Sequence, residues 1–104
     1  MERIEEIKIV KRIVEDSFDE NAMYTGIDDM NEENKAHIIN IGTSILCTKW
    51  EIGFEGGGFV RAVVDNDLMK AVGSADGTSL KGLKFFASLL YNTPRPMSLI
   101  HAND

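Results

Sequence analysis

Apolar residues recur along the chain in four runs at helical spacing, divided by glycine, asparagine, aspartate and proline. In residues 2–18, Ile4, Ile7, Val10, Val14 and Phe18 share one face and Ile9 and Ile13 widen it, which predicts a helix with a broad apolar side. Its β-branched content would also suit a strand, but the alternation is poor and the run is long. Glu2, Glu5 and Glu6 lie at its start, where the macrodipole favours negative charge. Glu15 and Asp16 lie near its end, where it does not, so that end is expected to fray. Residues 19–30 hold turn formers and acids around Met23, Tyr24 and Ile27 and read as a loop packed partly onto the core. Asp28, Asp29 or Asn31 can cap a second helix over residues 31–53, with Glu32 and Glu33 in its first turn. Ile38, Ile41, Ile45, Trp50 and Ile52 form its stripe, with Ile39 and Leu46 beside them. Gly42, Thr43 and Ser44 interrupt the bulk, either to let another backbone come close or to bend the helix.

Three glycines, Gly56, Gly57 and Gly58, precede a central helix predicted over residues 59–74. Phe59, Val63, Leu68 and Val72 recur on its apolar side, while Arg61, Asp65 and Lys70 fall toward the other. It closes on Ser74, Ala75, Asp76 and Gly77, and this glycine-to-glycine stretch is expected to organise the rest of the chain. Thr78 or Ser79 can cap a fourth helix over residues 79–91, where Leu80, Leu83, Phe86, Ala87 and Leu90 make a stripe that Phe85 and Leu89 extend. Thr93 precedes Pro94, which stops the helix. Pro94 and Pro96 make the tail extended, residues 97–100 are apolar enough to dock, and residues 101–104 are expected to be mobile. The fold class is therefore all-α: a compact bundle of about four helices in a single domain, residues 1–104, with an extended C-terminal tail.

Composition narrows the function classes. A chain of 104 residues with 43% hydrophobic residues can bury a modest core without staples. Cys47 is the single cysteine, has no internal partner for a disulfide, and fits a reducing, cytoplasmic setting. No apolar stretch approaches the roughly 20 residues of a membrane span, and no signal peptide is read at the charged N-terminus. The net charge is −6, and residues 1–58 hold 13 acids against 6 bases while residues 59–104 hold 4 against 5. No base falls between Arg12 and Lys35. Such an acidic run repels phosphate backbones and argues against nonspecific nucleic-acid binding, while leaving room for a small anion held locally.

Candidate chemistry is sparse. Glycines before a helix can expose backbone N–H groups to an anion, or they can be a plain connector. No GxxxxGK[ST] motif or dinucleotide fingerprint accompanies them. If the loop holds an anion, Arg61 is the nearest base, and Phe54 or Tyr91 could stack on a planar ring. The candidate ligand-binding set is thus Phe54, Gly56, Gly57, Gly58, Arg61 and Tyr91. Asp65, Asn66 and Asp67 resemble a metal fragment, but successive residues of a helix point about 100 degrees apart, so solvation or helix capping explains them. His37 and His101 are far apart, no Ser–His–Asp order can be defended, and Cys47 has no local base. No catalytic residue, metal ligand or cofactor is expected.

The run GGGFVRAVVDNDLMKAVGSADGTSLKGL, followed by LLYNTPRP, resembles small uncharacterised proteins encoded by tailed bacteriophages. The resemblance covers about the second half of the chain and is not specific to an activity. It implies a phage origin and a short accessory gene product that acts by binding, either sequestering a nucleotide messenger of host immunity or blocking a host protein. Apolar faces as wide as those of the first and fourth helices add an expectation of self-association. The reading that follows is a non-catalytic binding protein, a counter-defence sponge for a signalling nucleotide in a homo-oligomer. The alternatives are an interaction module presenting acidic residues 15–33 to a basic host protein, and a virion assembly factor.

Overall fold

The structure, a computed structural model, describes residues 3–53 and 55–100. Among these residues it is all helical, with no strand. Helix α1, Arg3–Asn21, buries Glu6, Val10, Val14 and Phe18, one residue per turn along one face. Helix α2, Glu32–Lys49, starts at Asn31, whose side chain accepts the Asn34 N–H at 2.8 Å. Three short helices and one longer one follow: α3, Gly58–Val64, α4, Leu68–Ser74, α5, Gly77–Lys81, and α6, Leu83–Asn92. A single 3-10 turn, Met97–Leu99, ends the described chain.

The element at the centre is α2, not the glycine-to-glycine stretch. It packs against α1, α3, α5 and α6, and Ile38, Ile45 and Leu46 on it are fully buried. The small residues in its middle serve close approach: a Cβ at Gly42 would lie 2.9 Å from Val14 Cγ1 and 3.2 Å from Leu89 Cδ2. Phe85 and Phe86 of α6 complete the core. Phe85 meets Phe18 edge-on at 5.7 Å between ring centroids, and Phe86 meets Phe59 at 5.8 Å, an arrangement that aromatic quadrupoles favour.

Two of the four expected helices are divided. The central one breaks at Asp65, Asn66 and Asp67. Asn66 takes a left-handed conformation at φ 59°, its N–H reaches Val63 O, and the Asp67 N–H reaches Ala62 O at 2.8 Å. This pair of bonds satisfies the last carbonyls of α3 in a Schellman closure. Asp67 then caps α4 by accepting the Lys70 N–H. The triplet is therefore a C-cap and an N-cap joined, which upholds the capping role and overturns the continuous helix.

The expected fourth helix breaks at Gly82, where a Cβ would stand 2.5 Å from Ile38 Cδ1. A Cβ there would push Ile38 aside, so glycine lets this joint lie close on α2, and Leu80 and Ala87 are exposed while Phe85, Phe86 and Leu89 turn inward. Its cap is Asp76, which accepts the Ser79 N–H at 2.7 Å, in place of Thr78 or Ser79.

The other ends also differ from the periodicity. Helix α2 stops at Lys49 because Glu51, at φ 57°, closes it through bonds from Glu51 N–H to Thr48 O and from Ile52 N–H to Cys47 O. Helix α1 runs past residue 18 to Asn21, and the turn beyond it closes at Gly26, φ 78°, with the Ile27 N–H on Ala22 O. Ile27 and Ile52 are buried at 1% and 3% exposure, the apolar plugs that accompany such closures. Met23 and Tyr24 point outward instead of onto the core. In the tail Leu99 is fully buried and its carbonyl accepts Arg95 Nε at 2.7 Å. The expected mobility of residues 101–104 lies outside the described residues. No described helix is long and apolar enough to cross a membrane.

Candidate functional site

The break at residues 65–67 shapes one wall of a concavity. It folds α4 back on α3, and the two short helices face α6 across a groove of about 470 Å³, a volume in the range of ligand-sized pockets. Alanines make the room: Ala62 on α3, Ala71 on α4 and Ala87 on α6 all line it. Val63, Val64, Leu83 and Leu90 supply larger apolar wall. At its edge stand Leu68 and Tyr91, 63% and 91% exposed, and Met69 follows Leu68 at 84%. Helix α4 is too short to hide its apolar residues, because Ala71 is the one it buries.

Polar groups at the groove are few. Lys49, at the end of α2, donates from Nζ to Leu90 O at 3.2 Å, which satisfies a carbonyl in the last turn of α6 and places a cation where the macrodipole is negative. Asn66 and Asp67 enter from the α3–α4 joint. The chemistry available is that of an apolar trough with one ammonium and one carboxylate.

The sequence-predicted ligand residues do not gather there as a set. Tyr91 lines the groove; Gly56, Gly57, Gly58 and Arg61 do not. The Gly56 N–H is donated to Thr48 Oγ1 at 2.9 Å, and a Cβ at Gly56 would lie 2.6 Å from Ser44 Oγ. That glycine lets the connector lie against α2. Gly57 is the N-terminal boundary residue of α3, without a side-chain cap, and Gly58 is the first residue of that helix. Arg61 is gripped on both sides, Nη1 by Glu55 Oε1 at 2.6 Å and Nε by Asp65 Oδ2 at 3.1 Å. A phosphate arriving there would have to displace two carboxylates. Phe54 lies outside the described residues.

Sequence reading missed Lys49, Leu68, Ala71, Ala87 and Leu90 as groove residues. The one available signal was Asp-Asn-Asp between two apolar runs, a turn signature as much as a helical one. Taken as a joint, it leaves α4 too short for its apolar content.

Two other clusters are structural. His37 Nε2 lies 3.0 Å from Asp76 Oδ2, which ties α2 to the start of α5. Hydrogen bonds from the Ser79 backbone and side chain, and then His37, hold the Asp76 carboxyl below its ordinary 3.8. Serine and histidine thus meet the same carboxylate, which stands between them, and Ser79 is buried in the first turn of α5. A carboxylate so placed orients neither group for attack. Cys47 is buried, and burial with the negative charge of Glu6 pushes its thiol up to about 11, leaving it protonated and non-nucleophilic at neutral pH. Among the described residues no three potential metal ligands cluster.

No protein-family model, curated protein or solved structure matches this chain.

Proposed function

We propose that this protein acts by binding rather than by chemistry, and that the α3–α4–α6 groove is where it binds. One observation carries the reading: a trough of about 470 Å³ walled by alanine, valine and leucine, with Leu68 and Tyr91 left largely exposed at its edge. Fully burying one such side chain is worth about 1.5–3 kcal/mol, so this face favours an apolar surface over water. The residues with a resemblance to phage accessory proteins include every groove residue except Lys49 and Ala87.

The test uses anilinonaphthalene sulfonate as the probe, with dilute protein. The native protein is expected to enhance the dye's fluorescence, and Ala87→Arg, which fills the trough from an exposed position, is expected to abolish the effect while keeping the helical circular-dichroism spectrum. Equal enhancement in the variant removes the groove from the proposal.

Tyr91 supports a narrower form, in which the occupant is a signalling nucleotide in a counter-defence setting. The ring would stack on the base and Lys49 would meet a phosphate. Calorimetry with cyclic and linear nucleotides distinguishes the two forms: heat that disappears in Tyr91→Ala favours the nucleotide, and absence of heat with every member discards it.

A further inference from the structure

We infer that the occupant of this groove is a second copy of the same chain, held face to face across a twofold axis. The inference rests on the groove being the binding surface and goes beyond it by naming the partner.

The first argument is shape. The trough and the side chains able to fill one lie next to each other on one surface: the alanine-lined hollow, and Leu68 and Tyr91 projecting at 63% and 91% exposure. In a twofold contact each patch meets its own copy, so that residue i touches j and j touches i. A patch carrying both hollow and projections can then be complementary to itself. Each copy's projecting side chains lose water contact, and no foreign surface is needed.

The second argument is charge. Two chains of net charge −6 repel unless their acids are kept apart. The charged residues that line the groove are Lys49 and Asp67, one of each sign. Twofold symmetry allows the ammonium of each copy to meet the carboxylate of the other. The acids are concentrated on α1, on residues 22–31 and at the start of α2, and none of those segments lines the groove. A contact through the exposed side of α1 would instead bring Glu15, Asp16, Asp19 and Glu20 toward their equals. The groove thus joins a balanced pair of charges to exposed apolar side chains.

Sedimentation equilibrium from low to high micromolar concentration tests this with four proteins: wild type, Ala87→Arg, Leu68→Asp and the control Met23→Asp. All three positions are exposed, so far-UV circular dichroism should show the same helical content throughout. The expected result is a wild-type mass that doubles with concentration, a control that doubles likewise, and two groove variants that remain at the mass of one chain. A wild type that remains one chain at the highest concentration overturns the second copy. So does a dimer that survives both groove substitutions, and a mass above two chains overturns the twofold arrangement. The dye separates the two levels of failure. A monomer whose dye binding is lost in Ala87→Arg keeps the groove and discards the second copy, whereas a monomer indifferent to that substitution discards both.

Discussion

Cys47 illustrates how a residue's surroundings set its chemistry. Its thiol holds a proton to about 11 when folded but to the ordinary 9.0 when unfolded. Between those values the unfolded chain binds fewer protons, so the contribution is intact below pH 9.0 and is lost as pH rises through the folded value. Urea denaturation across pH 9 to 11 should show a falling midpoint in wild type and a shallower fall in Cys47→Ala; parallel slopes would mean that the thiol is not the source. A buried thiol was legible from its apolar neighbours. Its coupling to Glu6 was not, because that contact joins α1 to α2. Arg61 makes the same point: the sequence offered Asp65 one turn away, while the grip of Glu55 depends on how the preceding connector folds.

At the scale of elements, periodicity located the helical regions but not the joints between them. An apolar stripe records which residues want burial, and it continues in phase whether or not the backbone does. Joints are decided by single residues. Gly26, Glu51 and Asn66 each adopt positive φ at a Schellman closure, yet they differ in fitness for it. Glycine has no Cβ to strain and asparagine tolerates the region, whereas glutamate bears a penalty of about 1–2 kcal/mol. Glu51→Gly is therefore expected to stabilise the protein by about 0.5–1 kcal/mol, after allowing for the greater freedom of glycine in the unfolded chain. Chemical denaturation measures it, and an unchanged or lower midpoint would refute the strain at this joint. A glutamate in a closure normally held by glycine leaves no trace in a hydrophobic pattern, which is why α2 reads as running to residue 53. Gly82 was hidden for a related reason, since Ile38, the residue that excludes a side chain there, is 44 positions away.

For the whole molecule, the sequence was informative about class and misleading about centre, since the glycine-to-glycine stretch was expected where α2 stands. Helical content, the acidic first half and the lack of a membrane-length helix follow from composition and period. That α2 would be surrounded, and that α3 and α4 would form a wall rather than a hub, depends on how the chain reversals combine. The groove arises from those reversals, and so it could not be found by ranking residues for reactivity. It also leaves the molecule unevenly held together. Most of α4 is attached through its packing on α3 and the burial of Ala71, while α2 packs against α1, α3, α5 and α6 with Ile38, Ile45 and Leu46 fully buried. Local opening costs least where the fewest apolar contacts must be given up. The amides of α4 should thus exchange with heavy water well before those of α2, and equal rates in the dilute protein would contradict this. Helix α4 supplies Leu68 and Ala71 to the groove, so occupancy at this wall would be felt first as a quieting of its own backbone.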